Sequence, residues 1–298
     1  MINGNSLEKK IQNLRQKFYK LNDGKSELLK LISESEVSEQ VYNSNAIENS
    51  TLTLEETDKI LMQINLDRYI NERELFEAKN LAKVVEYINN NAVSKPLDFE
   101  MILFLHGVLL SNINDNIAGR FRQKEWVRTG SYVALPPDEV IPAMTKLLSE
   151  YNASTDPIAT KIAKFHLGFE YIHPFVDGNG RIGRALNNYL LIREGYVPMI
   201  INYSDRPQYY DSFKEFQTTK KCSIMQELVG KSLINSYHKR LAYLSSFRIM
   251  KLSEYAKAKN MSLSALINKA NRHTIPAFRD KGVWMIGEPS DAVTLTLT

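Results

Sequence analysis

The reading of this chain turns on one stretch, His173-Pro174-Phe175-Val176-Asp177-Gly178-Asn179-Gly180-Arg181-Ile182-Gly183-Arg184. Just before it, Ile162, Phe165, Phe169 and Ile172 recur at steps of three and four, which puts one apolar face on a helix over 158–172. Pro174 pushes the residue before it out of the right-handed helical region, so that helix stops at His173. After a turn rich in Gly, Asp and Asn, the residues Ile182, Leu186, Tyr189 and Leu190 resume the helical period, and a second helix begins near Arg181. A glycine-rich turn feeding a helix N-terminus presents free backbone N–H groups and the positive end of a dipole, an arrangement that binds phosphate. Arg181 and Arg184 add two guanidiniums suited to bidentate phosphate contact. Asp177 adds a carboxylate where Mg2+ can bridge phosphate oxygens. His173, at the opposite lip, titrates in the range of a general base.

The same stretch contains a decoy. Gly178-x-Gly180-x-x-Gly183 matches a dinucleotide-binding fingerprint, with Asp205 near where a ribose-binding acid would stand. That fingerprint needs a strand before it and a βαβ unit around it. Residues 158–172 read as helix and no strand–helix alternation surrounds them, so a dehydrogenase reading is rejected.

Working outward, the chain is helical almost throughout. Leu7, Ile11, Leu14, Phe18 and Leu21 begin a helical stretch over 6–34, broken at Asn22-Asp23-Gly24. Further helices are predicted over 36–48, over 68–89 up to Asn89-Asn90-Asn91, over 99–111 capped by Asp98, and over 140–152. Thr53 and Glu56 form a capping box at a helix start. Only Arg122 to Leu135 looks like strand before the tail, as a hairpin with a Thr129-Gly130-Ser131 turn, closed by Pro136-Pro137. His106 and His166 read as core residues, and Trp126 as hairpin packing or a contact for another molecule.

The length of 298 residues admits a large core, and 24% charged with 43% hydrophobic residues excludes a disordered or fibrous chain. Cys222 is the single cysteine, which excludes an internal disulfide and suggests a reducing, cytoplasmic setting. No apolar run is long enough to span a bilayer, so no membrane partner is expected. Residues 246–298 carry eight Lys/Arg against four acids, whereas the rest of the chain is neutral. In this tail a helix, a turn capped by Ser262, a second helix from Leu263 to Arg272 and a short hairpin follow one another, a layout used by DNA-binding modules and similar to excisionase-like winged helices. The chain therefore reads as all-α, with a β-hairpin and a small C-terminal winged-helix-like domain.

The twelve-residue stretch resembles the signature of the Fic family, His-Pro-Phe-x-[Asp/Glu]-Gly-Asn-Gly-Arg-x-x-Arg, at every fixed position. The resemblance extends over about residues 35–220 and includes Ala118-Gly119-Arg120-Phe121-Arg122, the Pro136-Pro137 pair and Tyr209-Tyr210. It implies a Fic-domain helical bundle and a nucleotidyltransferase that moves AMP from ATP to a Ser, Thr or Tyr hydroxyl of a protein, releasing pyrophosphate. Under it, His173 is the general base, Asp177 holds Mg2+, and Gly178, Asn179 and Gly180 form the anion hole. Arg184 takes the γ-phosphate with Arg181 beside it, and Tyr209 and Tyr210 lie near the adenine. Thr129, Gly130 and Ser131 tip a flap that pairs with an extended target segment. The implied division is N-terminal helices over 1–95, a catalytic core over 96–240 with its flap at 122–135, and the tail over 246–298.

Upstream, Ser44-Asn45-Ala46-Ile47-Glu48-Asn49 resembles the family's inhibitory motif, [Ser/Thr]-x-x-x-Glu-[Gly/Asn]. In relatives that Glu pairs with the second Arg of the signature, here Arg184, and blocks productive seating of the γ-phosphate. Local physics agrees: an acid at a helix C-terminus needs a compensating cation, and Asn49 can adopt the left-handed turn that ends a helix. The resemblance also raises self-modification, a homodimer, and removal of AMP as further expectations. The competing class is a regulator that senses nucleotide without turnover and binds DNA through its tail. Transfer of another phosphate-containing group is a third reading.

Overall fold

A computed structural model describes residues 4–66, 68–129 and 132–289. In chain order the helices are α1 (Gly4–Leu21), α2 (Ser26–Ser35), α3 (Val37–Ile47), α4 (Leu54–Leu61), α5 (Glu72–Asn91) and α6 (Phe99–Leu110). The strands β1 (Arg128–Thr129) and β2 (Tyr132–Val133) follow, then α7 (Val140–Ala153), α8 (Ile158–Ile172), α9 (Asn179–Arg193), α10 (Arg206–Thr219) and α11 (Ser223–Ser245). The tail consists of β3 (Ser246–Lys251), α12 (Leu252–Ala258), α13 (Leu263–Asn271), β4 (Ala277–Asp280) and β5 (Val283–Pro289). The chain forms two compact units. One spans residues 35–229, and the other combines the chain before residue 35 with the chain from Gly230 onward. The first helices thus group with the tail, while the segment bearing Glu48 groups with the signature.

Local chemistry explains most boundaries. Gly24, at φ +68°, separates α1 from α2. Thr53 accepts from the Glu56 N–H while Glu56 accepts from the Thr53 N–H, and this reciprocal box starts α4. Asp98 accepts from the Met101 N–H and starts α6. The helix read from residue 68 begins instead at Glu72, because the Asn71 side chain caps the Arg73 N–H and leaves Ile70 outside. The hairpin read over 122–135 is shorter than its alternation suggested. Among the described residues Arg128 pairs with Val133 and Thr129 with Tyr132, Ala134 donates to the Val127 carbonyl at 3.0 Å, and Arg122 is instead drawn inward and buried. Gly130 and Ser131, the predicted flap tip, lie outside the described residues.

The residue 35–229 unit is built around α3, α8 and α9. Helix α8 buries Ile162, Phe165 and Phe169, and α9 buries Ile182, Leu186 and Tyr189, so the two helices that flank the signature turn pack through their apolar faces. Fully burying each such side chain contributes roughly 1.5–3 kcal/mol. Helix α3 is different. It is buried on nearly all sides, although Glu39, Gln40, Asn43, Ser44 and Asn45 are polar. Such burial is tolerated only with hydrogen-bond partners. Asn43 accepts from the Tyr203 N–H at 2.7 Å and donates to the Glu39 carbonyl at 2.8 Å. Gln40 accepts from Asn188 on α9 at 3.2 Å. At the helix end, Arg206 donates to the Ile47 carbonyl at 2.8 Å and to the Asn49 side chain at 2.7 Å. These bonds set where residue 48 projects.

In the other unit, β3, β5 and β4 form an antiparallel sheet in that order, with α12 and α13 between β3 and β4 in sequence. Met250, Leu252, Ala256, Leu266, Ala270, Ala277 and Ile286 make its core. The helix–turn–helix–hairpin succession read from sequence is present, with Ser262 capping α13. Strand β3, which that reading lacked, completes the sheet. Lys281 and Gly282, at φ +49° and +80°, make the tight turn between β4 and β5. The first helices join this unit through the Phe18–Tyr237 edge contact at 5.8 Å and through Lys25, which donates to the Leu244 carbonyl at 2.8 Å. No helix among the described residues is long and apolar enough to cross a membrane.

Candidate active site

Helix α8 ends at His173, whose backbone turns left-handed at φ +52°, ψ +62°. Pro174 disfavours the helical region there, and the tertiary structure holds the strained turn in place. Arg122 does this holding. Its buried guanidinium donates to the carbonyls of His173 at 2.8 Å, Ile172 at 3.1 Å, Glu125 at 3.2 Å and Leu135 at 2.5 Å. One side chain thereby ties the turn at His173 to both ends of the hairpin. Its only trace in sequence was its place in Ala118-Gly119-Arg120-Phe121-Arg122.

The turn is closed by its own side chains. Asn179 accepts from the Phe175 N–H at 2.9 Å and donates to the Phe175 carbonyl at 2.8 Å. The Asn179 amide therefore builds the loop, and its backbone is what remains to meet a ligand. Asp177 accepts from the Gly178 N–H at 2.6 Å. Gly178, at φ +82°, turns the chain into α9, where Asn179, Gly180 and Arg181 supply first-turn N–H groups with no partner inside the helix. His106, read as a core residue, is buried but serves this loop. Its Nε2 donates to the Asp177 carbonyl at 3.0 Å, its Nδ1 accepts from the Gly119 N–H at 3.0 Å, and its ring stacks on Phe175 at 3.7 Å.

These groups meet in an open pocket of about 630 Å3 lined by His173, Asp177, Gly178, Asn179, Gly180 and Arg181. Glu48, Asn45 and, from the hairpin, Val127 and Arg128 also line it. Arg184 does not: it stands behind Glu48. The Glu48 carboxylate lies 2.9 Å from Arg184 Nη2, and Oε1 sits 2.1 Å from where a Cβ on Gly180 would be. Glu48 thus occupies the space over the first turn of α9. Arg184 also donates from Nε to the Ser44 hydroxyl at 3.0 Å, from Nη2 to the Ser44 carbonyl at 2.8 Å, and from Nη1 to the Tyr209 hydroxyl at 3.0 Å.

Tyr209 and Tyr210 are placed differently from each other. Tyr209 is 1% exposed, and its hydroxyl bridges Arg184 and His166 Nε2, the latter at 2.8 Å. It is a support for Arg184 and offers no open face to a base. Tyr210 is half-buried, with its hydroxyl on the Ile47 carbonyl at 3.3 Å and Arg206 5.0 Å from its ring centroid. His166, also read as structural, is fully buried in this support.

A second charged cluster was not legible in sequence. Arg73 on α5 donates to Asp177 Oδ2 at 2.5 Å and to Glu77 at 3.0 Å. Arg181 pairs with Glu77 at 2.8 Å and with Asp177 Oδ1 at 3.1 Å. Burial acts against ionisation of Asp177, but Arg181 and Arg73 outweigh it and hold the carboxyl below its usual range. Nothing in the local pattern of α5 marks Arg73, because its partner lies 104 residues away. Among the described residues no group of three or more His, Cys, Asp or Glu could cage a metal. A lone carboxylate beside a phosphate-binding helix start is the donor set Mg2+ uses when it completes its octahedron with water and phosphate oxygens.

His173 and its neighbour are both perturbed. Burial and the nearby Arg122 charge push the His173 imidazole down to about 4. Burial and the Glu48 charge push the Glu170 carboxyl, one turn earlier on α8, up to about 8.

Residues 96–191 match the Fic/DOC family. The chain carries a Fic domain. It is 36% identical over 183 residues to a protein adenylyltransferase Fic of Drosophila willistoni, covering 59% of this chain and 36% of that one. It is 31% identical over 217 residues to a protein adenylyltransferase Fic of Nematostella vectensis, covering 68% and 48%. The chain thus spans less than half the length of these curated relatives. Its fold is similar to that of a Fic domain containing signaling protein from Bacteroides thetaiotaomicron VPI-5482, with a TM-score of 0.71 and 26% identity over 79% of this chain and 97% of that one. The matched segment thus includes the signature turn, most of α9 and the hairpin, and Glu48 reaches it from the preceding sequence.

Proposed function

We propose that this protein transfers AMP from ATP to a hydroxyl side chain of a protein and is restrained by Glu48. The observation that carries the reading is the convergence of His173, Asp177 and the open start of α9 on one pocket, with Glu48 standing between that pocket and Arg184. In the reaction, His173 Nε2 takes the proton of the target hydroxyl as its oxygen bonds to the α-phosphorus. The α–β bridging P–O bond breaks and its electron pair leaves with pyrophosphate. The first-turn N–H groups of α9 face the developing phosphate charge, and Arg184, once Glu48 has withdrawn, holds the γ-phosphate. Asp177 would hold Mg2+, which neutralises charge on the phosphates when bound. The hairpin stands beside the pocket through Val127 and Arg128, where an extended target segment could pair with it.

The test is intact-protein mass after incubation with ATP and Mg2+, on wild type, Glu48→Gly and His173→Ala. Self-modification is expected, so a mass increase of one AMP should grow in Glu48→Gly and vanish in His173→Ala. No adduct in any form, with added candidate hydroxyl substrates also unmodified, would remove the reading.

The tail supports a separate proposal, contact with duplex DNA. Helix α13 exposes Asn268 and Lys269, Asn271 and Arg272 follow at its end, and Lys281 is exposed at the β4–β5 turn. A helix and a hairpin tip presenting cations together suit a groove and its flanking phosphates. Binding to duplex DNA that weakens steeply with salt, and is lost in Lys269→Glu/Arg272→Glu, is the expected result. Binding that ignores both would refute it.

A further inference from the structure

Glu170 and His173 stand one helical turn apart at the end of α8. The Glu170 carboxyl is 11% exposed, and its Oε2 lies 3.7 Å from His173 Nδ1. Glu170 Oε1 and His173 Nδ1 are both buried and lack a partner of good hydrogen-bond geometry, although the Glu170 backbone also acts on the imidazole and favours its charged form. Buried polar side-chain atoms are satisfied in the large majority of cases, so two unsatisfied ones on neighbouring side chains require a reason. The packing also makes room for the carboxyl. A Cβ at Gly183 on α9 would come within 3.0 Å of Glu170 Oε1, so glycine there leaves the acid its space. A carboxyl kept in such a place at the cost of desolvation is a candidate for function.

The surrounding charges are few. Glu48, from the end of α3, and Arg184, from α9, face Glu170. Arg122, Glu48 and Asp177 surround His173. None of these side chains hydrogen-bonds His173 Nδ1. The Arg122 guanidinium is spent on backbone carbonyls, Asp177 on Arg73, Arg181 and the Gly178 N–H, and Glu48 on Arg184.

We infer that Glu170 is a positioning residue for His173, holding the Nδ1 side of the imidazole so that Nε2 faces the pocket and stabilising the imidazolium formed when the target proton is taken. The inference rests on the adenylyl-transfer reading. The proton balance is simple. The hydroxyl proton goes to Nε2, Nδ1 keeps its own, and the Glu170 carboxylate accepts a hydrogen bond from Nδ1–H without becoming protonated. This is the division of labour between base and acid in hydrolase triads. The 3.7 Å separation is closed by a small side-chain adjustment, and catalytic hydrogen bonds commonly tighten only when substrate is bound.

One consequence joins this pair to Glu48. Burial and the Glu48 charge keep the Glu170 carboxyl protonated near neutral pH while Glu48 is docked. Withdrawal of Glu48 removes one of those two influences and favours the carboxylate. The same movement that opens the space over Gly180 therefore also lowers the Glu170 pKa, against the larger effect of burial, which remains.

The experiment compares Glu48→Gly with Glu48→Gly/Glu170→Gln and Glu48→Gly/Glu170→Leu. The first readout is 15N NMR of the labelled histidines, with His173 assigned by its loss in His173→Ala. Where the Glu48→Gly background leaves Glu170 ionised, removing that carboxylate should lower the His173 pKa by about half a unit or more. In the Leu variant the ring should also shift away from a single Nδ1–H tautomer. The second readout is AMP transfer. In Glu170→Gln, kcat should drop about tenfold at unchanged KM for ATP, and the acid limb of the kcat profile should move to lower pH. Identical His173 titration and tautomer in all three proteins overturns the inference, as does a loss confined to KM for ATP. If Gln disturbs folding, Glu170→Asp serves in its place, with a smaller shift in the same direction. Should Glu48→Gly transfer no AMP at all, the functional reading fails, and the NMR titration still decides whether Glu170 orients His173.

Discussion

The Glu48 carboxylate lies 2.9 Å from Arg184, and both side chains are held there by the same helix. Ser44, four residues before Glu48 on α3, accepts from Arg184 with its hydroxyl and with its carbonyl. Losing Glu48 therefore does not free Arg184 to wander: it opens the space over Gly180 and leaves the guanidinium aimed by Ser44 and Tyr209. Glu48→Gly should accordingly raise AMP transfer by at least about tenfold, a barrier change of about 1.4 kcal/mol. Labelled-AMP incorporation at saturating ATP and Mg2+ measures it, and equal rates in wild type and variant would dismiss the restraint.

Tyr209 is predicted to matter through Arg184. Tyr209→Phe removes the acceptor from Arg184 Nη1 and the partner of His166 Nε2 in a fully buried place. Leaving buried polar groups unpaired costs about 1–3 kcal/mol each. We expect a urea midpoint lowered accordingly and, in the Glu48→Gly background, weaker ATP binding by calorimetry. An unchanged midpoint and unchanged ATP affinity would show that the hydroxyl does neither job.

Arg122→Ala should be among the most damaging single changes in the chain. It removes donors from four backbone carbonyls at once and releases the left-handed turn at His173. A loss of about 3–5 kcal/mol is expected, the range for breaking a buried charged network. Arg122→Lys should recover only part of it, since an ammonium cannot span the same fork of carbonyls. Thermal unfolding of the two variants tests this, and a Lys variant as stable as wild type contradicts it.

Arg73 and a divalent cation compete for one carboxylate. Arg73→Ala should reduce the Mg2+ concentration needed for ATP binding by a factor of about two to five, because a half-exposed ion pair is worth about 1 kcal/mol or less. The check is ATP affinity measured across a Mg2+ titration. A higher Mg2+ requirement in the variant would instead make Arg73 a phosphate contact.

Acid should destabilise the protein well above the carboxylate range. Burial lowers all five histidines: His106, His173 and His238 to about 4, and His166 and His273 to about 3. The folded chain keeps them neutral while the unfolded chain protonates them near pH 6.5. Their contribution is thus complete above pH 6.5 and is lost as pH falls from there toward 4, each histidine adding a slope of up to about 1.4 kcal/mol per pH unit. Glu170 runs the other way, since its raised value favours folding at low pH and loses that advantage as pH rises toward about 8. Five histidines outweigh one glutamate, so urea midpoints should drop steeply between pH 6.5 and 5. A flat profile across that window would show that the histidines are solvated in solution.

Much of this protein is legible in its sequence, and particular residues say why. The end of α8 at His173, the Thr53–Glu56 box, the Asp98 cap and the break at Asn22-Asp23-Gly24 depend on interactions within a few residues. Propensity, capping and proline sterics decide such features locally. The order of helices and the phosphate-binding character of Gly178-Asn179-Gly180 are local in the same sense, and Glu48 was found because it sits in a short recognisable motif. The contacts that make a site of these pieces are not local. Arg73 meets Asp177 across 104 positions and Ser44 meets Arg184 across 140. No periodicity records such pairs, because each depends on how whole helices stack. The same holds for Tyr209, which an aromatic pattern alone cannot assign to a base or to an arginine, and for Arg122, which is drawn inward and buried. Local backbone chemistry thus settled which elements form and where they stop. Packing settled which charges face one another, and therefore which carboxylate lies over the first turn of α9 and which one stands beside His173.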